Sequence, residues 1–125
     1  MRAILSALIG IILLTSTVNF GEARIYEISS ASASADLNIS AIVLDESSTG
    51  PYKRVHIAVW EPGKNPYNGD SSSFLVYKAD DVPQTHLTIP ESSKKEGTYY
   101  VAVIGGLGDT VHYTLEITGH EVLPQ

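Results

Sequence analysis

Four histidines, His56, His86, His112 and His120, are the only side chains of this protein that ordinarily titrate near neutrality. No two of them have the H-x-x-x-H spacing of a metal site, and a zinc-type site needs three or four converging groups, so their pattern reads as ordinary surface histidine. A period-two strand puts His56 and His112 opposite the apolar face, where they would meet only if their strands were neighbours. Serine is plentiful, but no G-x-S-x-G elbow occurs. With no cysteine there is no thiolate nucleophile, zinc-finger set, lipidated cysteine or disulfide framework. Gly105, Gly106 and Gly108 lack the strand-to-helix context and the Lys-Ser/Thr pair of a phosphate cradle, and read as a turn. The tandem Asp80-Asp81 reads as a solvated turn. These readings point away from an enzyme, and a small domain leaves little room for a pocket of the usual ~300–1,000 Å3.

Two groups of residues carry more promise for binding. The run Asn65-Pro66-Tyr67-Asn68-Gly69-Asp70 offers oxygens from Asn65, Asn68 and Asp70 in one loop, which is what a hard cation such as calcium needs. It does not match the D-x-[DN]-x-[DN]-G loop, and plain turn chemistry, with Asn and Gly satisfying the backbone, is the competing reading. The second group is aromatic. Trp60, Tyr67, Tyr77 and Tyr100 fall on a loop or on the faces away from the core, whereas Phe74, Tyr99 and Tyr113 fit the core. Exposed aromatics stack on sugar rings or fill partner pockets. The competing reading is that Trp60 and its neighbours cover an end or a second face of the core. Asn38-Ile39-Ser40 is an N-glycosylation sequon, meaningful only in a eukaryotic secretory pathway.

The elements that position these groups are strands. From Arg24 onward apolar residues alternate with polar ones, β-branched and aromatic types abound, and Gly, Pro, Asn, Asp and Ser interrupt them repeatedly. Leu37, Ile39, Ala41 and Val43 share one face; Val55, Ile57 and Val59 share another within 52–60. Strands are expected over 25–29, 73–78, 84–89, 98–104 and 110–118 as well. In the last, Val111, Tyr113, Leu115 and Ile117 alternate with His112, Thr114, Glu116 and Thr118. The Gly105–Asp109 link reads as a hairpin turn, and 61–73 as the longest loop. About seven to eight strands at 8–12-residue spacing predict an all-β, antiparallel sandwich with no helix.

Residues 1–23 differ. Arg2, an apolar run from Ala3 to Leu14 and small residues at Gly21 and Ala23 make the layout of a secretory signal peptide cut after Ala23, leaving 24–125 as a single β-sandwich domain. The apolar run is shorter than the roughly 20 residues of a spanning helix, so no stable membrane insertion is expected after cleavage. An uncleaved amino-terminal anchor is the competing reading, and either way the domain faces outside. The whole chain has 125 residues, 8 Lys+Arg against 14 Asp+Glu and a formal charge of −6. That balance works against phosphate-neutralising contacts with nucleic acid and against a polybasic membrane patch.

The stretch Gly97-Thr98-Tyr99-Tyr100-Val101-Ala102-Val103, a Gly-rich link, and His112-Tyr113-Thr114-Leu115-Glu116-Ile117 resemble the closing strands of bacterial pre-peptidase carboxy-terminal domains, which read G-x-Y-x-V-x-V and then Y-x-L-x-V/I. Ala35-Asp36-Leu37-Asn38-Ile39 is similar to the family's D-L-x-L strand, with Asn38 where a second aspartate is common. The resemblance covers about 30 residues and implies a jelly-roll-like sandwich serving as a non-catalytic appendage of secreted enzymes, aiding secretion or attachment to an insoluble substrate. The 125 residues hold no peptidase beside it, and a free-standing copy would be expected to act as binder, inhibitor or structural piece. The expected function is a secreted, non-catalytic binding module for an extracellular glycan or matrix polymer. The alternative is a cell-surface structural or protein-interaction component.

Overall fold

The computed structural model describes residues 2–5, 11–30, 36–44, 53–67, 74–78, 84–107 and 110–119. Nine strands fall within them: β1 Arg2–Leu5, β2 Ile11–Asn19, β3 Ala23–Ser30, β4 Leu37–Val43, β5 Arg54–Trp60, β6 Val76–Lys78, β7 Gln84–Ile89, β8 Gly97–Leu107 and β9 Thr110–Thr118, with one 3-10 turn at Glu91–Ser93. They form a β-sandwich of a five-stranded sheet, order β1-β3-β8-β5-β6, and a four-stranded sheet, order β2-β9-β4-β7. All pairings are antiparallel except β1 with β3. Consecutive strands change sheet at nearly every connection, as in jelly rolls, and only β5 and β6 are both consecutive and paired.

Period-two alternation sets the core between the sheets. Leu37, Ile39, Ala41 and Val43 of β4, and Val111, Tyr113, Leu115 and Ile117 of β9, meet Val55, Ile57 and Val59 of β5 and Tyr99, Val101 and Val103 of β8. Strands β7 and β9 keep the bounds expected from their sequence. The Gly-rich link behaves differently from a hairpin turn. Gly105 and Gly106 extend β8, and the chain then crosses to the opposite sheet, so β8 and β9 do not pair. Gly105 serves close packing: a Cβ there would stand 2.1 Å from the Asn19 carbonyl oxygen, because the turn between β2 and β3 runs directly over it. Gly21 N–H donates to Gly105 O and Gly105 N–H to Glu22 O, both at 3.0 Å.

Residues 11–19, expected within a leader peptide, pair with β9 from Ile11↔Thr118 to Asn19↔Thr110. Val18 is buried, and Leu14 packs against the main core. A buried polar contact joins the two sheets here. The hydroxyls of Tyr26 (β3) and Tyr113 (β9) lie 2.5 Å apart, and Ser16 of β2 hydrogen-bonds to Tyr113 as well. Burial first, and the Tyr26 hydrogen bond second, raise the Tyr113 pKa well beyond the usual phenolic range.

Two outcomes follow from this packing. Replacing Gly105 with Ala forces the β2–β3 turn off β8, and urea unfolding should show a loss of about 1–3 kcal/mol. The native fold holds Tyr113 neutral, so its contribution is intact below the unfolded phenolic pKa near 10 and is lost as pH rises above it. Urea midpoints measured from pH 9 to 11 should therefore fall more steeply for the natural chain than for Tyr113→Phe, and parallel falls would contradict that role.

Candidate functional site

Sheets of a sandwich normally turn a polar face to solvent, and here the two outward faces differ. Strand β8 sends Tyr100, Ala102 and Ile104 outward, β5 sends Arg54, His56, Ala58 and Trp60, and β3 sends Ile25 and Glu27. Register then aligns them in rows across the five-stranded sheet: Ile25, Ala102, Ala58 and Tyr77 in one, and Glu27, Tyr100 and Trp60 in the next. Ala58 and Ala102 are each only 1% exposed although they point away from the main core. Larger neighbours cover them: Trp60, Tyr100, Ile25 and Ile104 form a second, smaller apolar cluster with them.

Along this cover runs a continuous belt of rings. Tyr67 meets Tyr100 edge-on at 6.2 Å between centroids, and Tyr100 sits beside its register partner Trp60. Trp60 meets Phe74 at 6.0 Å, Phe74 meets Tyr77 at 5.4 Å with the planes only 33° apart, and Tyr77 meets the His56 ring at 5.6 Å. The Tyr77 hydroxyl and His56 Nδ1 are hydrogen-bonded at 2.6 Å. Gly106 lies directly beneath this pair: a Cβ there would come within 2.4 Å of His56 Nε2, so a larger residue would push the imidazole aside.

The loop that brings Tyr67 onto the belt is pinned at its base. Lys64 N–H donates to Glu61 O, Gly63 turns the chain with a φ of 96°, and Asn65 Oδ1 accepts from Tyr67 N–H at 2.8 Å. Glu61 pairs with Lys95 at 2.9 Å, and Gly97 leaves room for Pro62, which a Cβ would approach to 2.8 Å. The Glu61 contact raises the Lys95 pKa.

Of the expected ligand-binding residues, the structure brings Trp60, Tyr67, Tyr77 and Tyr100 onto one face. Tyr67 and Tyr77 are well exposed, Tyr100 is half-buried, and Trp60 is only 4% exposed, so it is the floor of the belt and not its surface. Phe74 corrects the expectation that it fits the core: it is 41% exposed and stands between Trp60 and Tyr77 on the outward face. The short β6 begins only at Val76, so alternation extrapolated back to Phe74 had no strand to carry it. Asn65 already serves its own turn, while Asn68 and Asp70 lie outside the described residues. Among the described residues no group of three or more His, Asp or Glu side chains is placed to hold a metal.

The four-stranded sheet turns mostly hydroxyl, amide and charged groups outward. There His86 Nδ1 and Ser40 Oγ lie 2.6 Å apart, an arrangement visible only once β4 and β7 are in register. The other nitrogen of His86 meets the Thr88 hydroxyl, which donates to Asn38 Oδ1, so no carboxylate orients the imidazole as in a catalytic triad. His56 and His112 sit on different sheets, facing away from each other, and His120 lies outside the described residues. Among the described residues no helix is long and apolar enough to cross a membrane.

Neither a family model nor a curated protein sequence matches the chain. Solved structures do. The pre-peptidase C-terminal domain of collagenase from Bacillus anthracis superimposes with a TM-score of 0.61 at 16% identity, covering 94% of this chain and 92% of that one. PliG of Aeromonas hydrophila, a periplasmic inhibitor of g-type lysozyme, gives 0.59 at 14% identity and 94% of both chains. The Yersinia pseudotuberculosis-derived mitogen gives 0.55 at 11% identity, covering 94% and 92%. The chain therefore has the β-sandwich fold of the pre-peptidase C-terminal domain, a fold that PliG and the mitogen share.

Proposed function

We propose that this chain is a non-catalytic, extracytoplasmic binding module that attaches to an extracellular glycan or matrix polymer through the aromatic belt. One observation carries the proposal: the exposed rings of Tyr67, Phe74 and Tyr77, with Tyr100 and Trp60 beneath them, make an unbroken row on a sheet face that in a monomer would ordinarily be polar. A row suits an extended chain better than a compact ligand, and the exposed Phe74 and Tyr77 rings, tilted 33° to each other, offer stacking surface to the apolar face of a sugar. The domains of similar fold, a lysozyme inhibitor and an appendage of a collagenase, support a role in contact rather than in catalysis. Export would be directed by residues 1–23. Calcium, held by Asn65, Asn68 and Asp70, is the cation that would stiffen the loop beside Tyr67.

A protein partner is the second reading. The edge-on packing of most of the belt favours it, because such rings present mixed edges and faces to a pocket rather than one flat platform.

The test is retention of the full chain on insoluble chitin, cellulose, peptidoglycan and collagen, with calcium and with EDTA. Retention on one polymer should fall at least tenfold for the Tyr67→Ala/Phe74→Ala/Tyr77→Ala variant, whose urea midpoint should stay near that of the natural chain because all three rings are exposed. Undiminished retention would remove the belt from the account, and retention on none would favour the protein partner. Loss in EDTA would assign calcium to the loop. Trp60→Ala is a poor probe of binding: emptying a buried indole site should cost about 3–5 kcal/mol in the same unfolding assay.

A further inference from the structure

The residues proposed to leave with the leader are also those that fill one edge of the four-stranded sheet. β2 pairs with β9 over nine residues, and β9 has only β4 as its other neighbour. Among the described side chains of β2, three face the core. Leu14 stands opposite Leu115, Val18 is buried opposite Val111, and between them Ser16, opposite Tyr113, hydrogen-bonds to the hydroxyl that also meets Tyr26. The intervening residues, Leu13, Thr15 and Thr17, lie on the outward side, where Thr15 and Thr114 hydroxyls approach to 3.4 Å. Polar side chains hold the end of the strand in place: Thr110 Oγ1 donates to Asn19 Oδ1, and Arg24 Nε donates to Thr17 O.

Removing this strand would uncover the β9 edge, with its row of backbone donors and acceptors, and the apolar side chains beneath it. The matches to the collagenase domain and to PliG cover 94% of the chain, which leaves too few residues over for the nine of β2 to lie outside them.

We propose that the β9 edge is a strand-acceptor site. Once residues 1–23 are cut away, it takes up an extended segment of a partner protein, antiparallel to β9. The segment presents an aliphatic residue opposite Leu115, a small hydroxyl residue opposite Tyr113 and an aliphatic residue opposite Val111. Each requirement has a physical cause. Aliphatic groups refill the space of Leu14 and Val18, a small hydroxyl replaces the hydrogen bond of Ser16 without crowding the tyrosine pair, and the unpaired β9 backbone supplies sequence-independent affinity. The proposal rests on the leader reading for its occurrence in nature, though not for the capacity of the edge.

The experiment keeps the two apart. A sequence-specific protease site is placed in the turn at 20–22 of the full chain, and the folded protein is nicked there. A fluorescent peptide of residues 11–20 is then added in excess, and bound label is read by polarisation and size exclusion. The nicked chain should exchange its own strand for one labelled peptide, whereas the intact chain takes up none. Peptides carrying Val18→Asp or Ser16→Leu should compete at least tenfold more weakly. No uptake, uptake by the intact chain to the same extent, collapse on nicking despite excess peptide, or dimers joined at β9 that the peptide does not dissolve would each overturn the proposal. If the insertion itself blocks folding, the full-length Val18→Asp variant, whose own strand is spoiled, should bind the labelled peptide, and failure to do so would again overturn it. Amino-terminal sequencing of the exported protein tests the leader separately: a start at Arg24 supports it, and a start at Met1 removes it without touching the exchange result.

Discussion

The register of β5 on β8 is the constraint on which both the core and the candidate site depend. These two strands lie in the middle of the five-stranded sheet and are buried on both faces. Inward, Tyr99, Val101 and Val103 meet Val55, Ile57 and Val59 in the space between the sheets; outward, Tyr100, Ala102 and Ile104 align with Trp60, Ala58 and His56. A slip of one residue would send every one of these side chains to the opposite face. The pair of alanines in the middle of the outward rows lets the indole and phenol rings lean together. The strand-borne part of the belt, His56, Trp60, Tyr77 and Tyr100, is thus a product of the same sheet that closes the core, whereas Tyr67 and Phe74 join it from outside the strands.

Binding geometry follows from that coupling. Rings on a sheet lose less freedom on meeting a ligand than rings on a long loop, because the backbone beneath them is already held. Trp60 is the extreme case, fully enclosed by its neighbours, while Tyr67 depends on a loop that the Glu61–Lys95 pair and the Pro62–Gly97 contact anchor to the start of β8. On the polar face of the other sheet, Ser40, His86, Thr88 and Asn38 hydrogen-bond to one another, and among the described residues no row of rings runs across it.

Much of this was legible in the sequence. Alternation located β4, β7 and β9 and named the buried sides of β4 and β9 correctly, and it put Trp60, Tyr77 and Tyr100 away from the main core, because a half-buried strand writes its facing into every second residue. Sheet membership was not legible, since it depends on partners distant in the chain. For that reason the Gly-rich link read as a hairpin turn when it carries the chain between sheets. Phe74 escaped because it precedes a three-residue edge strand, too short to show a period. The segment at 11–19 is apolar without strict alternation, a composition that suits a leader's hydrophobic stretch and a strand equally; only pairing with β9 distinguishes the second property.

The outward face of the five-stranded sheet is the docking surface proposed for this chain. Backbone amide shifts of the full chain, followed by NMR while soluble chitin or cellulose oligosaccharides or peptidoglycan fragments are titrated in, test it most directly. Saturable shifts concentrated at His56, Trp60, Tyr67, Phe74, Tyr77 and Tyr100 are expected. Shifts concentrated instead at Ser40, His86 and Glu116 on the opposite sheet would contradict it.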